Sequence, residues 1–536
     1  MPPSAKSPTA WASRAPRISA ACSSASSSSA PGNIAPRLPG HPRARPGPWS
    51  SMAAILGTSA GGEDMSADVL TAWPESWRVL DHGIRSGRYT DPAFARLEYD
   101  KLWSTVWQAA ARLDEIPEAG DYATYDIGDQ SVIVVRAEDG SVKTYHNACP
   151  HRGTALSGGG NGHFPHCKII CPFHGWRWNL QGQNEYVLER GEFRGGQLQD
   201  SDVALRAVHH VVFAGFVFIN FDRNPQPFDD FIAPVRELIE GLAIGQMHHY
   251  WWKALPVAAN WKVAQEAFFE GYHVPATHPQ LEPDSADIVM NGTPSAEAEA
   301  HFAHRNVQTE KYPHGHGRFY AGKKTPMQGH VRQAGDPVEM MAARLNLLVE
   351  GMDAMVLKED VEIVRSLKDK PIPEGSSLGA EYVKALYTTA AIQQRPMPRP
   401  VPEILGMWGG EIFVFPNLLI LPQAGNAMIY RIRPDGNDPD RCIFEIFSTR
   451  TYPAAVKPPR AEVRKVTDIM DPEQVLLIPR QDFHNIPRMQ KGLHSRGCKQ
   501  IWLAVEHEKM ILNMHQELDR YLKAEPARPE VRVAAA

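Results

Sequence analysis

Two short loops hold the same pair of residue types: "CPHRG" carries Cys149 and His151, and "CPFHGW" carries Cys171 and His174. Nineteen residues separate His151 from Cys171, and each pair sits in a Pro/Gly-rich setting. Two thiols and two imidazoles delivered by two loops make a metal site. A structural zinc bound by Cys₂His₂ is one candidate. Zinc fingers, however, pair Cys with Cys and His with His along the sequence, whereas each loop here mixes one of each. That mixing suits a [2Fe–2S] cluster in which the Cys pair holds one iron and the His pair the other. Replacing two thiolates by neutral imidazoles lowers the negative charge of such a cluster and raises its potential.

The bulk numbers narrow the class. At 536 residues the chain is long enough for two or three domains with real cores. Its 43% apolar and 22% charged residues are those of a soluble globular protein. A net charge of −5 with no Lys/Arg stripe gives no electrostatic reason to expect nucleic acid. No window approaches the 18 or so uninterrupted apolar residues of a membrane span. Outside the two loops only Cys22, Cys167, Cys442 and Cys498 remain, scattered, which fits a reducing cytoplasm rather than a disulfide scaffold.

Along the chain, the first 62 residues lack Asp and Glu and are rich in Ser, Ala, Pro and Arg. Such a stretch cannot bury a core, so residues 1–64 are expected to be a disordered extension. It reads either as a transit-like segment or as translated upstream DNA, with the true start at Met52 or Met65; the second reading is favoured. Residues 65–104 are expected to be helical, with Leu70, Trp73, Trp77 and Leu80 at three- and four-residue spacing. Residues 105–225 change to a β period, with a hairpin at Asp139-Gly140. There the run Val211 to Phe221 reads as one buried strand. A mixed helix-and-strand domain fills 226–522 and a flexible tail 523–536.

The Cys/His loops resemble a Rieske domain, whose pattern is C-x-H, a spacer, then C-x₂-H. Respiratory Rieske proteins carry an extra Cys in each loop; here Thr154 and Phe173 stand there, so that disulfide is not expected. The resemblance implies a soluble, lower-potential electron donor. His163, His166 and Cys167 fall outside the pattern and read as loop or packing residues.

A second constellation lies in "NWKVAQEAFFEGYHVPATHPQ", residues 260–280. Glu270 and His273 at i,i+3 would share one face of a helix, and Pro275 disfavours its continuation, so His278 would return from a break. Two His and a distant carboxylate form the facial triad of non-haem Fe(II), with positions open for O₂ and substrate. Together with the upstream loops, this string resembles Rieske non-haem iron ring-hydroxylating oxygenases, α (large) subunit, over roughly Met65 to Leu522. The resemblance implies an α+β fold: a Rieske-type β-domain plus a helix-grip (START/Bet v 1-like) catalytic domain with an antiparallel sheet. It implies the third iron ligand at Asp482, eight residues before Gln490. It implies at Glu270 a carboxylate bridging electrons from a neighbour's cluster, and hence a head-to-tail homotrimer or a multiple of one. Two departures stand out. The bridge is often Asp and here is Glu, as in a subset acting on quaternary amines; and Glu266 is followed by Ala267 where Asn is usual.

Other features carry less. His301, His304, His314 and His316 have no carboxylate or Cys at ligand spacing and read as loop histidines. "GGGNG" is no nucleotide loop, and no flavin or nicotinamide fingerprint occurs. Electrons must then come from a separate NAD(P)H-dependent reductase, with or without a ferredoxin; a β subunit is a further possible partner. Met340, Met341, Met352, Met355, Phe413, Phe415 and Leu419 are candidate pocket lining. The leading outcome is cis-dihydroxylation of an aromatic or other hydrophobic ring. Monooxygenation or oxidative N/O-demethylation, including the quaternary-amine type, is the alternative, and a non-catalytic electron carrier the reading from another class.

Overall fold

The computed structural model describes residues 73–302, 307–321 and 335–523. The acid-free N-terminal stretch, both candidate starts, Leu70, His304 and the C-terminal tail lie outside them. The described part of the segment expected to be helical is only partly so. Its Trp73 and Trp77 pack edge-to-face on Phe94, with ring centroids 6.0 and 5.3 Å away. Yet Val79–Leu80 and Gly83–Arg85 form a small hairpin, and Gly83–Arg85 pairs with Gln500–Trp502 from the far end of the chain. Gly83 is the reason a side chain is absent there: a Cβ would lie 2.5 Å from the Ile501 carbonyl oxygen. Helix begins only at Gly87–Thr90, followed by α1 (Pro92–Glu98), which Asp91 caps by accepting from the Ala93 N–H and Pro92 opens.

The β-rich region follows. Strand β1 (Gln108–Arg112) precedes β2 (Asp121–Ile127), β3 (Gln130–Arg136), β4 (Val142–His146) and β5 (Asn161–His163), which form a sheet in the order β4–β3–β2–β5. The expected Asp139-Gly140 turn joins β3 to β4, with Gly140 at φ 79°. Strands β6 (Lys168–Ile170), β7 (Arg177–Asn179) and β8 (Asn184–Tyr186) make a small meander. The single strand expected over 211–221 is instead a hairpin. Strands β9 (His209–Phe213) and β10 (Phe216–Asn220) turn back at Ala214-Gly215, both at positive φ. An apolar run reads alike whether straight or folded, and only the Gly marks the reversal.

The second region opens with α2 (Phe228–Gly241) and strand β11 (His248–Val257). The short helices α3 (Trp261–Glu266) and α4 (Val274–Thr277), followed by helices over Pro283–Met290 and Ser295–Phe302, precede β12 (Val307–Lys311) and β13 (Gly317–Ala321). The long helical pattern over 337–367 splits into α5 (Pro337–Met352) and α6 (Lys358–Arg365), because Asp353 and Met355 adopt positive φ between them. Strands β14 (Glu411–Val414), β15 (Leu418–Gln423), β16 (Asn426–Pro434), β17 (Cys442–Arg450) and β18 (Val463–Lys465) complete an eight-stranded sheet, ordered β12–β13–β14–β15–β16–β17–β11–β18. Every pairing is antiparallel except β11 with β18. Helices α7 (Leu477–Leu493) and α8 (Lys509–Lys523) follow, α8 closing the described residues. The expected α+β architecture is present. Buried polar groups join its two parts: Asn417 accepts from the Ala109 N–H at 3.0 Å and donates to the Ala109 carbonyl at 3.1 Å, and Arg431 donates to the Ala110 carbonyl.

Candidate functional site

Each Cys/His loop folds on its own backbone bonds: Cys149 N–H donates to the Thr154 carbonyl and Cys171 N–H to the Trp176 carbonyl, both short closures. The result re-sorts the ligands. Residues that are mixed along the sequence pair like with like in space. The Cys149 thiol lies against Cys171, and the His151 and His174 rings have centroids 4.6 Å apart. Burial pushes the Cys149 thiol up to about 11, opposed by the His151 and Arg152 N–H groups aimed at its sulfur. His151 stacks on Trp176 at 4.6 Å and 7° between planes, and its Nδ1 is buried with no hydrogen-bond partner among the described residues. A buried, orphaned ring nitrogen beside a second imidazole, opposite two buried thiols, is the donor set that a cluster with one N-ligated and one S-ligated iron needs. His163 instead meets Asp121 at 3.0 Å, and Cys167 packs against the apolar cluster around the two loops.

The second constellation departs locally from the expected helix. Helix α3 stops at Glu266, and Glu270 and His273 lie in the turn before α4 rather than on one helix face. Pro275 is the physical cause: it cannot extend a helix from upstream, but it fits the first turn of a new one. The Glu270 carboxylate replaces the helix as organiser. It accepts the N–H groups of Tyr272 and His273, the latter at 3.0 Å, and its other oxygen holds His273 Nδ1 at 2.7 Å. His278 closes α4, and its Nδ1 meets Gln481 Oε1 at 2.9 Å.

Asp482 completes the site from α7, buried rather than on a helix surface. Ligand atoms of His273, His278 and Asp482 all lie within 4.8 Å of one another. The hydrogen bonds assign the tautomer. Gln481 and Gln280 exchange amide bonds, Gln280 Nε2 to Gln481 Oε1 at 2.8 Å and the return at 3.3 Å, so Gln481 Oε1 is an acceptor. His278 Nδ1 therefore carries the proton, and its Nε2 faces Asp482 Oδ1 at 3.0 Å. A ring nitrogen and a carboxylate oxygen so placed need a cation between them, a proton or a metal ion. The N₂O donor set fits non-haem iron.

Sequence reasoning missed Gln481 and Gln280. Their only signal was position, one residue before Asp482 and two after His278. It also missed Glu411 and Tyr430. The regular register Phe413↔Leu419↔Tyr430 puts these three on one face of the sheet, and Glu411, two residues before Phe413, shares it. That face meets the site segments: Phe413 on Phe269 at 4.4 Å and Tyr430 on Phe268 at 4.6 Å. Phe444, on β17, meets Phe483 at 5.1 Å. Burial, with the Glu270 charge nearby, drives the Glu411 carboxyl well above the usual carboxylate range. Burial, with Asp482 and Glu411 nearby, does the same to the Tyr430 phenol. Of the other candidate lining residues, Phe413 and Leu419 reach this face. Phe415 stacks on Tyr521 at 5.8 Å, Met352 and Met355 are in the main core, and Met341 packs into a separate helical core. His316, expected as a loop histidine, is fully buried, bonded to the Phe231 carbonyl at 2.8 Å and accepting from the Phe415 N–H at 3.0 Å. His314 rests beside Phe231, and His301 beside Ser285.

Comparison with known proteins agrees with this geometry. Residues 106–193 match the Rieske [2Fe-2S] domain, and residues 244–524 match the ring hydroxylating alpha subunit (catalytic domain). The chain is 30% identical over 222 residues to the glycine betaine monooxygenase oxygenase subunit of Chromohalobacter salexigens, covering 41% of this chain and 48% of that one. It is 30% identical over 204 residues to the anthranilate 1,2-dioxygenase large subunit of Acinetobacter baylyi, covering 36% and 42%. The matches thus span about half the length of these curated relatives. Among solved structures, naphthalene 1,2-dioxygenase from Rhodococcus sp. superposes with a TM-score of 0.54 at 19% identity over 83% of this chain and 95% of that one. A quaternary ammonium Rieske monooxygenase gives 0.54 at 15% over 82% and 95%. These likenesses show a shared fold. With a catalytic-domain match over just more than half its length and a Rieske domain before it, the chain belongs to the ring-hydroxylating alpha subunits of the Rieske oxygenases, whose cofactors are a [2Fe–2S] cluster and a mononuclear iron.

Proposed function

We propose that the chain is the terminal oxygenase component of a system that uses O₂ and NAD(P)H-derived electrons to hydroxylate a small organic substrate. The observation that carries this reading is the convergence of His273, His278 and Asp482 within 4.8 Å, in a chain that also pairs Cys149 with Cys171 and His151 with His174. The four loop residues would hold the cluster, and His273, His278 and Asp482 the iron. When bound, the two groups supply single electrons and a site that activates O₂. The protein's own part is positioning. Glu270 fixes the His273 ring and tautomer, and Gln481 does so for His278. Phe268, Phe269, Phe413 and Tyr430 line the adjoining face with apolar surface that keeps water from the reacting carbon.

In this reading Glu270 also bridges to a cluster imidazole of a neighbouring subunit, which requires a head-to-tail homotrimer or a multiple of one. A separate reductase, with or without a ferredoxin, supplies the electrons. The domain limits proposed are 105–225 and 226–522. The aromatic face supports cis-dihydroxylation of a hydrophobic ring. Monooxygenation or oxidative demethylation is favoured by a specific observation, the buried carboxylate of Glu411 on that same face, and fits the relative named for glycine betaine.

Iron and acid-labile sulfide per chain in anaerobically purified protein test the proposal. The expected ratio is three irons to two sulfides, falling by one iron in a His273→Ala/His278→Ala double variant. Two irons to two sulfides, unchanged by added Fe(II), would leave an electron carrier and end the oxygenase reading.

A further inference from the structure

Among the aromatic and aliphatic side chains Phe319, Phe413, Leu419 and Tyr430, which share the sheet face that meets the site segments, the buried carboxylate of Glu411 is out of place. Glu411 is 1% exposed, and its Oε1 has no hydrogen-bond partner among the described residues. Other buried carboxylates of this protein are matched. Glu445 takes two bonds from Arg431, at 2.8 and 2.9 Å, and Glu98 meets Lys262 at 2.6 Å. An unpaired buried acceptor costs about 1–3 kcal/mol and persists in a fold only for a reason.

Its surroundings say what would satisfy it. Glu411 is opposite Phe319 across the β13–β14 pair and two residues from Phe413, which packs on Phe269; Tyr430 stands in the next row of the same face. Burial favours the protonated form of the Glu411 carboxyl, and an ammonium group seated beside it would favour the ionised form, so a cation is held twice, by the ring quadrupoles and by the carboxylate it ionises. An anion would be repelled by Glu270 and Asp482 and would gain no ionised partner in Glu411. A neutral hydrocarbon would leave Oε1 as it is.

We infer that Glu411 is a specificity-determining residue that pairs with an ammonium group, so that the substrate is a small N-methylated cation held against the Phe269/Phe413/Tyr430 face. This deepens the reading of the site as an oxygenase centre and rests on it. The cation is placed by Glu411 and the rings, with an N-methyl carbon turned to the triad. Glu411 is not one of the three residues that would hold the iron, so substrate selection can be changed at Glu411 while iron binding is kept.

The test uses iron-loaded holoenzyme whose Rieske EPR signal and iron content are verified first, and calorimetric binding of an isosteric pair: choline, and its neutral carbon analogue 3,3-dimethyl-1-butanol. Choline is expected to bind the native protein at least tenfold more tightly. Glu411→Gln, which keeps the shape and removes the group that can ionise beside a cation, is expected to bring the two within about threefold with iron content unchanged. Equal or tighter binding of the neutral analogue to the native protein, or no binding of either, overturns the inference while leaving the iron centre standing. So does a preference that survives Glu411→Gln. Because the native protein alone decides the first comparison, a variant that fails to fold does not spare the idea. Loss of the third iron in the native protein instead strikes the oxygenase reading beneath it.

Discussion

Gln481 shows how much a neighbour of a ligand decides. Its Oε1 takes the Nδ1 proton of His278, and its exchange with Gln280 locks that amide in one orientation. The His278 ring is thereby held with Nε2 toward Asp482 at 3.0 Å. Outer partners of this kind typically contribute 10–100-fold in metal affinity. Gln481→Ala should therefore weaken Fe(II) binding by 10- to 100-fold in a chelator competition, with the Rieske signal untouched. An unchanged affinity would show that Asp482 and the fold alone orient the ring. The candidate ligands were legible in the sequence, the Cys and His by type and spacing and Asp482 through the family resemblance. Gln481, Tyr430 and Glu411 were not, because an amide, a phenol or a carboxylate acquires meaning only from what it faces.

At the scale of elements, the buried network under α3 holds the site loop in place. Arg88 Nε donates to His515 Nδ1 at 2.9 Å, so His515 carries its proton on Nε2 and donates to Glu266 Oε1 at 2.8 Å, while Tyr89 donates to Oε2 at 3.0 Å. This joins the Gly87–Thr90 helix, α3 and α8. Burial pushes Glu266 up to about 8 and His515 well down. The sign follows from proton counting. Between the unfolded carboxyl range, near pH 4.5, and about pH 8 the folded state holds a proton on Glu266 that the unfolded state has lost, so stability falls as pH rises. His515 acts oppositely, but only below about pH 6.5, where the unfolded imidazole charges. Denaturation of Glu266→Gln beside the native protein should show the native protein losing stability relative to the variant from pH 6.5 to 8, on the order of 1 kcal/mol per pH unit. Parallel curves would mean that Glu266 is ionised throughout. Glu266 had been noticed in the sequence only for the Ala that follows it; its burial is a property of three packed helices.

For the whole molecule, the proposed route for electrons needs more than one chain. Glu270 is committed on one side to His273, and its bridging role needs a cluster imidazole from a neighbouring subunit. Sedimentation should therefore find a trimer or a multiple of one at catalytic concentrations, and dilution to monomer should abolish reductase-driven turnover while cluster reduction persists. A fully active monomer would dismiss the bridge. Among the described residues no helix is long and apolar enough to cross a membrane.

The sequence by itself determined the chemistry and the order of domains. The mixed Cys/His loops and the His273/His278 pair are local patterns, Asp482 was indicated by the family resemblance, and the Asp139-Gly140 hairpin is local too, since its turn depends on two adjacent residues. Only the tertiary structure decided the remainder. It folded Val211–Phe221 back at Gly215, and it turned Glu270 from a helix-face residue into the organiser of a loop. It re-sorted thiols with thiols and imidazoles with imidazoles, and it left Glu411 Oε1 without a partner among the described residues, in an aromatic wall. The physical reason is the same in each case. A residue's type fixes what it can bind, but its burial, its partners and its charge environment come from segments up to some four hundred residues away, as in the Arg88–His515 bond, and no local pattern records them.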